Sequence, residues 1–122
     1  MAIFFYDSYA IVEHIEGNPR FLSYFEEHSG MLTLLNLLEV YYSTLIALGE
    51  IKANLTLETL KPIIVEPSSE IIQKAMKFRR DYKKQNLSYA DCLGYHIALE
   101  RGIKFLTGDK EFEDLDNVEF VK

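Results

Sequence analysis

The chain has 122 residues, 48% of them apolar and 26% charged, with a formal net charge of −6. That length and composition suit one globular domain with a real core, and the single cysteine, Cys92, excludes an internal disulfide and fits a reducing compartment. The acidic balance excludes a protein that holds nucleic acid through its overall field, so any such contact has to rest on local basic patches and bound metal.

In chain order, Ile3 to Tyr6 is a short apolar run closed by Asp7 and reads as a buried strand. No charged stretch precedes it, so it does not read as a signal peptide, and no apolar run approaches the ~20 residues of a membrane helix. A soluble, cytoplasmic protein with no membrane association is expected. Ser8 to Ile15 is a helix ending at Gly17. Asn18 caps the next helix, Pro19 opens it, Phe21, Leu22 and Phe25 form its stripe, and it ends near Gly30. Met31 to Leu35 is expected as a second strand and Asn36 to Leu48 as a helix closed by Gly49. Asn54 to Leu60 is a weaker helix stopped by Pro62, and Ile63-Ile64-Val65 reads as a third strand.

Pro67 and Ser68 open a long helix whose stripe is Ile71, Ala75, Phe78 and Tyr82, with its end at Gln85-Asn86. Ser88 to Arg101 is a helix with Gly102 as its C-cap, Ile103 to Leu106 a fourth strand, Lys110 to Leu115 a short turn or helix, and Val118 to Val121 an edge strand. Apolar strands alternating with helices indicate a single three-layer α/β/α domain over residues 1–122, built on a central, mainly parallel sheet of four to five strands.

Four acids stand where strands or linkers give way to helices: Asp7, Glu39, Asp91 and Asp109. In open parallel sheets ligands bind beyond the carboxyl ends of the strands. Asp7 follows strand one, Glu39 falls in the first turn after strand two, and Asp109 lies just past strand four. Asp91 begins the helix that runs back into strand four, which puts it on the same edge. Each acid also has a local explanation. Asp7 and Asp109 suit N-caps, while Asn36 with Glu39 and Ser88 with Asp91 have capping-box spacing. Capping and ligation are compatible, because a first-turn carboxylate can point off the helix end.

Carboxylates brought together raise one another's pKa, and a divalent cation reverses that cost. Oxygen ligands favour Mg²⁺ or Mn²⁺ over zinc, and phosphate chemistry is the natural use. His14, His28 and His96 have no ligand spacing. Lys74, Lys77, Arg80 and Lys84 form a cationic stripe on one helix, either a solvated face or a track for RNA phosphates.

The runs FFYDS, LTLLNLLEVYY and LSYADCLGYHIALERGIKFLTGDKEFEDL together resemble a PIN domain of the VapC type, across the whole chain. The most specific part is Asp91, Gly102, the strand Ile103 to Leu106, and Thr107-Gly108-Asp109-Lys110-Glu111-Phe112. The resemblance implies a Mg²⁺- or Mn²⁺-dependent ribonuclease using one or two ions, the toxin of a toxin–antitoxin pair with a small antitoxin as partner. It also implies a homodimer. Asp7, Glu39, Asp91 and Asp109 would be the catalytic and metal-binding quartet. Asp7, Asp91 and Asp109 would hold the first ion, and Glu39 a second ion or the attacking water. Ser8 and Thr107 would orient the carboxylates, and Asp114 and Asp116 stand where some members carry a further acid.

Two other classes remain. One is a non-catalytic PIN-like binding module that has lost its metal. The other is a receiver-type signalling domain, which needs an acidic pair after strand one and an Asp after strand three, where this chain has Asp7-Ser8 and Glu66-Pro67.

Overall fold

The computed structural model describes residues 1–82 and 86–122. Gln85 and the fourth residue of the cationic stripe, Lys84, lie outside the described residues, and the helix opened by Ser68 ends at Asp81, short of the expected Gln85-Asn86. Four parallel strands form the sheet, in the order β2-β1-β3-β4: β1 Ile3–Tyr6, β2 Ser29–Met31, β3 Lys104–Thr107 and β4 Val118–Phe120. The helices are α1 Ser8–Ile15, α2 Leu22–Glu26, α3 Leu34–Leu48, α4 Glu50–Leu60, α5 Ser69–Asp81 and α6 Tyr89–Arg101.

Two apolar clusters cover the two faces of the sheet, as the alternation of strand side chains requires. Phe5 and Phe105 point into one, with Ile71 and Ala75 of α5, and Leu93, Tyr95, Ile97 and Ala98 of α6. Phe4, Tyr6 and Leu106 point into the other, with Ala10 and Ile11 of α1, Leu37 and Val40 of α3, and Leu60 of α4. This is the three-layer α/β/α arrangement expected. Among the described residues, no helix is long and apolar enough to cross a membrane.

Several boundaries differ from expectation. Ile63-Ile64-Val65 is not a strand. Pro62 opens a 3-10 turn over Lys61–Ile63, and contact with the sheet is a single parallel bridge between Leu32 and Ile64. A proline ring and a missing N–H at that point leave too little chain for a ladder. The Met31 to Leu35 strand shifts to Ser29–Met31, because α3 begins early, at Leu34. Its cap is Thr33, and Asn36 occupies the third helical position and closes the capping box from inside. The expected Asn36–Glu39 capping box therefore does not form, and Glu39 stands in the second turn of α3. Helix α4 runs from Glu50, directly after Gly49, and not from Asn54.

Gly94 sets how closely α6 lies on the sheet. A Cβ at Gly94 would stand 2.3 Å from Phe5 Cε1, so only glycine lets the helix sit at this distance over β1. Gly102, at φ 67° in the left-handed region, ends α6 as its C-cap and turns the chain into β3.

Candidate metal centre at the carboxyl edge of the sheet

Asp7 is the residue after β1, and its N–H continues the ladder by donating to Leu106 O at 3.1 Å. It stands at the N-cap position of α1 but makes no side-chain capping bond. Its Oδ2 instead accepts the Thr107 hydroxyl at 2.7 Å. Thr107, the last residue of β3, is fully buried, and its Oγ1 also accepts the Asp109 N–H at 3.0 Å. One hydroxyl thus ties two acids at the ends of adjacent strands. Asp109 caps the 3-10 turn Lys110–Phe112 through Oδ1, which accepts from Glu111 N at 3.0 Å.

Asp91 closes the capping box of α6. Its Oδ2 accepts from Ser88 N at 2.8 Å, and its own N–H donates to Ser88 Oγ at 3.0 Å. Glu39, exposed on α3, accepts from Ser8 Oγ through Oε1 at 2.7 Å. The capping expectation is therefore met for Asp91 and Asp109, and not for Asp7 or Glu39.

All four acids line one cavity of about 370 Å³, with Ser8, Tyr9, Val12, Ser43 and Ser88. The hydrogen bonds above engage one oxygen of each carboxylate: Oδ2 of Asp7 and Asp91, Oδ1 of Asp109 and Oε1 of Glu39. Asp7 is only 2% exposed. Burial pushes its carboxyl well above the ordinary range, and Asp91, Asp109 and Glu39 push it further, while the Thr107 hydroxyl pulls it down. Asp91 is raised too, first by burial and then by Glu39 and Asp109, against the two Ser88 hydrogen bonds. The site is thus a set of mutually repelling carboxylates that a cation would relieve.

Hard oxygen donors in this number fit Mg²⁺ or Mn²⁺. As the side chains stand, no group of three or more His, Cys, Asp or Glu among the described residues closes into a ligand set.

The other predicted residues separate from this cavity. Lys74, Lys77 and Arg80 are exposed on α5 and do not line it. Arg80 is engaged with the neighbouring Asp81 at 2.8 Å. Asp114 and Asp116 also lie off the lining, and the Asp116 carbonyl accepts the Tyr95 hydroxyl at 2.6 Å. Ser43 lines the cavity and Asn36 donates to Ser8 at its wall, neither having been expected there. Helical spacing carries the signal for both, since positions three before and four after Glu39 share its face of α3. A second, larger cavity, about 540 Å³, lies between Ile11, His14, Phe25, Lys52 and Leu60, on another face of α1.

A parallel α/β/α sheet with four acids gathered at its carboxyl edge defines a class of acidic-site domains suited to divalent cations. Within that class, the chain belongs to the PIN domain family, whose family model matches residues 4–118. Comparison with curated proteins finds no match. Among solved structures, the chain is similar to VapC20 of Mycobacterium tuberculosis, described as a sarcin-ricin loop cleaving toxin. That likeness has a TM-score of 0.81 and 14% identity, over 99% of this chain and 100% of that one. It is also similar to DNA-bound VapBC from Salmonella typhimurium, with a TM-score of 0.74 and 17% identity over 98% and 97% of the two chains. A toxin–antitoxin complex from Klebsiella pneumoniae matches with a TM-score of 0.72 and 20% identity over 97% and 95%. At these identities the likeness establishes the fold. Family membership sets the receiver-type alternative aside.

Proposed function

We propose that the chain is a Mg²⁺- or Mn²⁺-dependent endoribonuclease, the toxin of a toxin–antitoxin pair. The observation that carries this reading is the behaviour of Asp7. It occupies a helix N-cap position without capping, is nearly fully buried, and shares one cavity with three other acids. Stability alone gives no reason to bury a carboxylate among carboxylates.

In this reading Asp7, Asp91 and Asp109 hold the ion, and Glu39 orients the attacking water or serves a second ion. The ion, when bound, supplies Lewis acidity at a phosphodiester oxygen and a lowered pKa for bound water. Thr107 holds Asp7 and the Asp109 backbone in one register. Ser8 holds one oxygen of Glu39. Lys74 and Lys77 on α5 are proposed to track RNA phosphates. Changing both to alanine should flatten the salt dependence of RNA binding, by about one released counterion for each lysine removed.

The partner is proposed to be a small antitoxin, in keeping with the toxin–antitoxin assemblies named among the similar structures. A homodimer is proposed as well. Leu34, Leu38, Tyr42 and Ile46 stand exposed along α3, an apolar row that a monomer has no reason to keep.

The test is cleavage of single-stranded and structured RNA with Mg²⁺ or Mn²⁺, beside an EDTA control, with Mn²⁺ calorimetry on the same protein. Metal binding by the parent, with metal-dependent cleavage that D7N abolishes, supports the reading. One rival is a non-catalytic PIN module that has lost its metal. No Mn²⁺ binding at millimolar concentration and no cleavage would establish that rival.

A further inference from the structure

Asn36 is fully buried, 0% exposed, at the third position of α3. Its carboxamide orientation is fixed by an unambiguous donor. The Thr33 backbone N–H reaches Asn36 Oδ1 at 3.0 Å, and the Thr33 hydroxyl reaches the same oxygen at 2.8 Å. The oxygen therefore faces the cap, and the amide nitrogen has to face away from it. Nδ2 donates to Ser8 Oγ at 3.0 Å. With one lone pair of Ser8 so used, its hydrogen points to Glu39 Oε1 at 2.7 Å. The chain of donors runs in one direction, from the cap of α3 through Asn36 and Ser8 to Glu39.

We propose that Asn36 is a positioning residue of the acidic site, acting through Ser8 to hold Glu39 in place. This role rests on the nuclease reading above. The molecule contains its own comparison. Asp91 fills the same third position in the capping box of α6 and serves that cap as a carboxylate. The cap of α3 asks only for an acceptor, which an acid also supplies. Only an amide adds a donor toward Ser8. Without that donor the Ser8 hydroxyl is free to turn, and an exposed glutamate on a helix surface has several rotamers open to it. Asn36 thereby restricts Glu39 to the rotamer whose first oxygen meets Ser8.

The test is steady-state cleavage of a short RNA in Mn²⁺ by S8A, N36A, N36S and T33A, and by S8A and N36A in an E39Q background. Mn²⁺ calorimetry and thermal unfolding are run on each. N36S keeps a hydroxyl acceptor for the cap but is too short to reach Ser8, so it carries the test with a smaller drop in stability. S8A, N36A and N36S should each lower kcat about tenfold, the usual scale for a group that orients a metal-site residue. KM should stay within about twofold of the parent, since grip on the RNA is untouched. The S8A/N36A double variant should be no slower than either single one, and neither change should slow E39Q further. T33A should lower the melting temperature and slow kcat less than N36A does, because the Thr33 N–H still orients Asn36 when the hydroxyl is gone. Effects that multiply in the double variant, or a T33A enzyme as slow as N36A, would overturn the positioning role and leave the nuclease reading standing. A parent chain that neither binds Mn²⁺ nor cleaves RNA would overturn both.

Discussion

Asp7 and Thr107, 100 residues apart in sequence, are joined by a 2.7 Å hydrogen bond at the point where β1 and β3 end. The bond stabilises the ionised form of Asp7, opposing burial and the three neighbouring acids. T107V keeps the shape and removes the donor. It should move the acidic limb of the pH–rate profile to higher pH, because Asp7 then holds its proton further up the scale. It should also lower kcat at least about tenfold, a scale set by other orienting groups at metal sites. A pH profile superimposable on the parent's would show that Thr107 does not tune Asp7.

The stability effect of Asp7 has a definite sign. Its folded pKa lies well above the ordinary 3.8 of an aspartate, so the folded state binds its proton more tightly than the unfolded chain does. That advantage is fully present below the unfolded pKa and disappears as pH rises through the folded one. At neutral pH Asp7 therefore contributes less to the metal-free fold than it does in acid. D7N should abolish cleavage and still raise the melting temperature in EDTA by several degrees, given ~4 °C per kcal/mol for a domain of this size. The gain should shrink as the pH is lowered toward the ordinary aspartate range. A metal-free D7N protein that melts below the parent at neutral pH would contradict this account.

Gly94 holds α6 against Phe5, and α6 carries Asp91 at its start. G94A forces a methyl to within 2.3 Å of the Phe5 ring, so helix and sheet have to separate. The expected cost is about 1–3 kcal/mol in urea unfolding, as for other overpacked cores. Mn²⁺ affinity should fall with it, because Asp91 moves away from Asp7. A G94A protein of unchanged stability would show that the contact relaxes at no cost.

The exposed face of α3 supplies a prediction about assembly. Leu38, Tyr42 and Ile46 are 59%, 66% and 70% exposed. L38E and I46E together place charge in the middle of that row. Sedimentation should then report a monomer where the parent sediments as a dimer, with the melting temperature of the monomer little changed. A parent that is monomeric at high micromolar concentration would remove the homodimer from the proposal.

Several features of the site are legible in the sequence because they depend on local rules. Ser88 and Asp91 form the box their spacing announces, and Asp109 caps the turn that follows it. Glu39 sits one turn of helix further along than its local pattern suggests. Leu34 and Leu35 look like strand residues, and nothing around them says that Thr33 has already started α3. The strand expected at Ile63 to Val65 fails for a related reason. Its composition is right, but Pro62 leaves it only one bridge to the sheet. β-propensity records fitness for a pleated surface and cannot say whether a partner strand is within reach.

By itself, the sequence determined the alternation of strand and helix, the parallel sheet and the edge on which four acids collect. These follow from periodicity, capping chemistry and the direction a helix must run between parallel strands. Only the tertiary structure decided what each acid does there. Asp7 looks like an ordinary N-cap until β3 brings the Thr107 hydroxyl against it, and Asn36 looks like a helix start until α1 brings Ser8 against its amide. A side chain with two possible partners takes the one that folding delivers, and partners 28 or 100 residues away leave no mark on the local pattern.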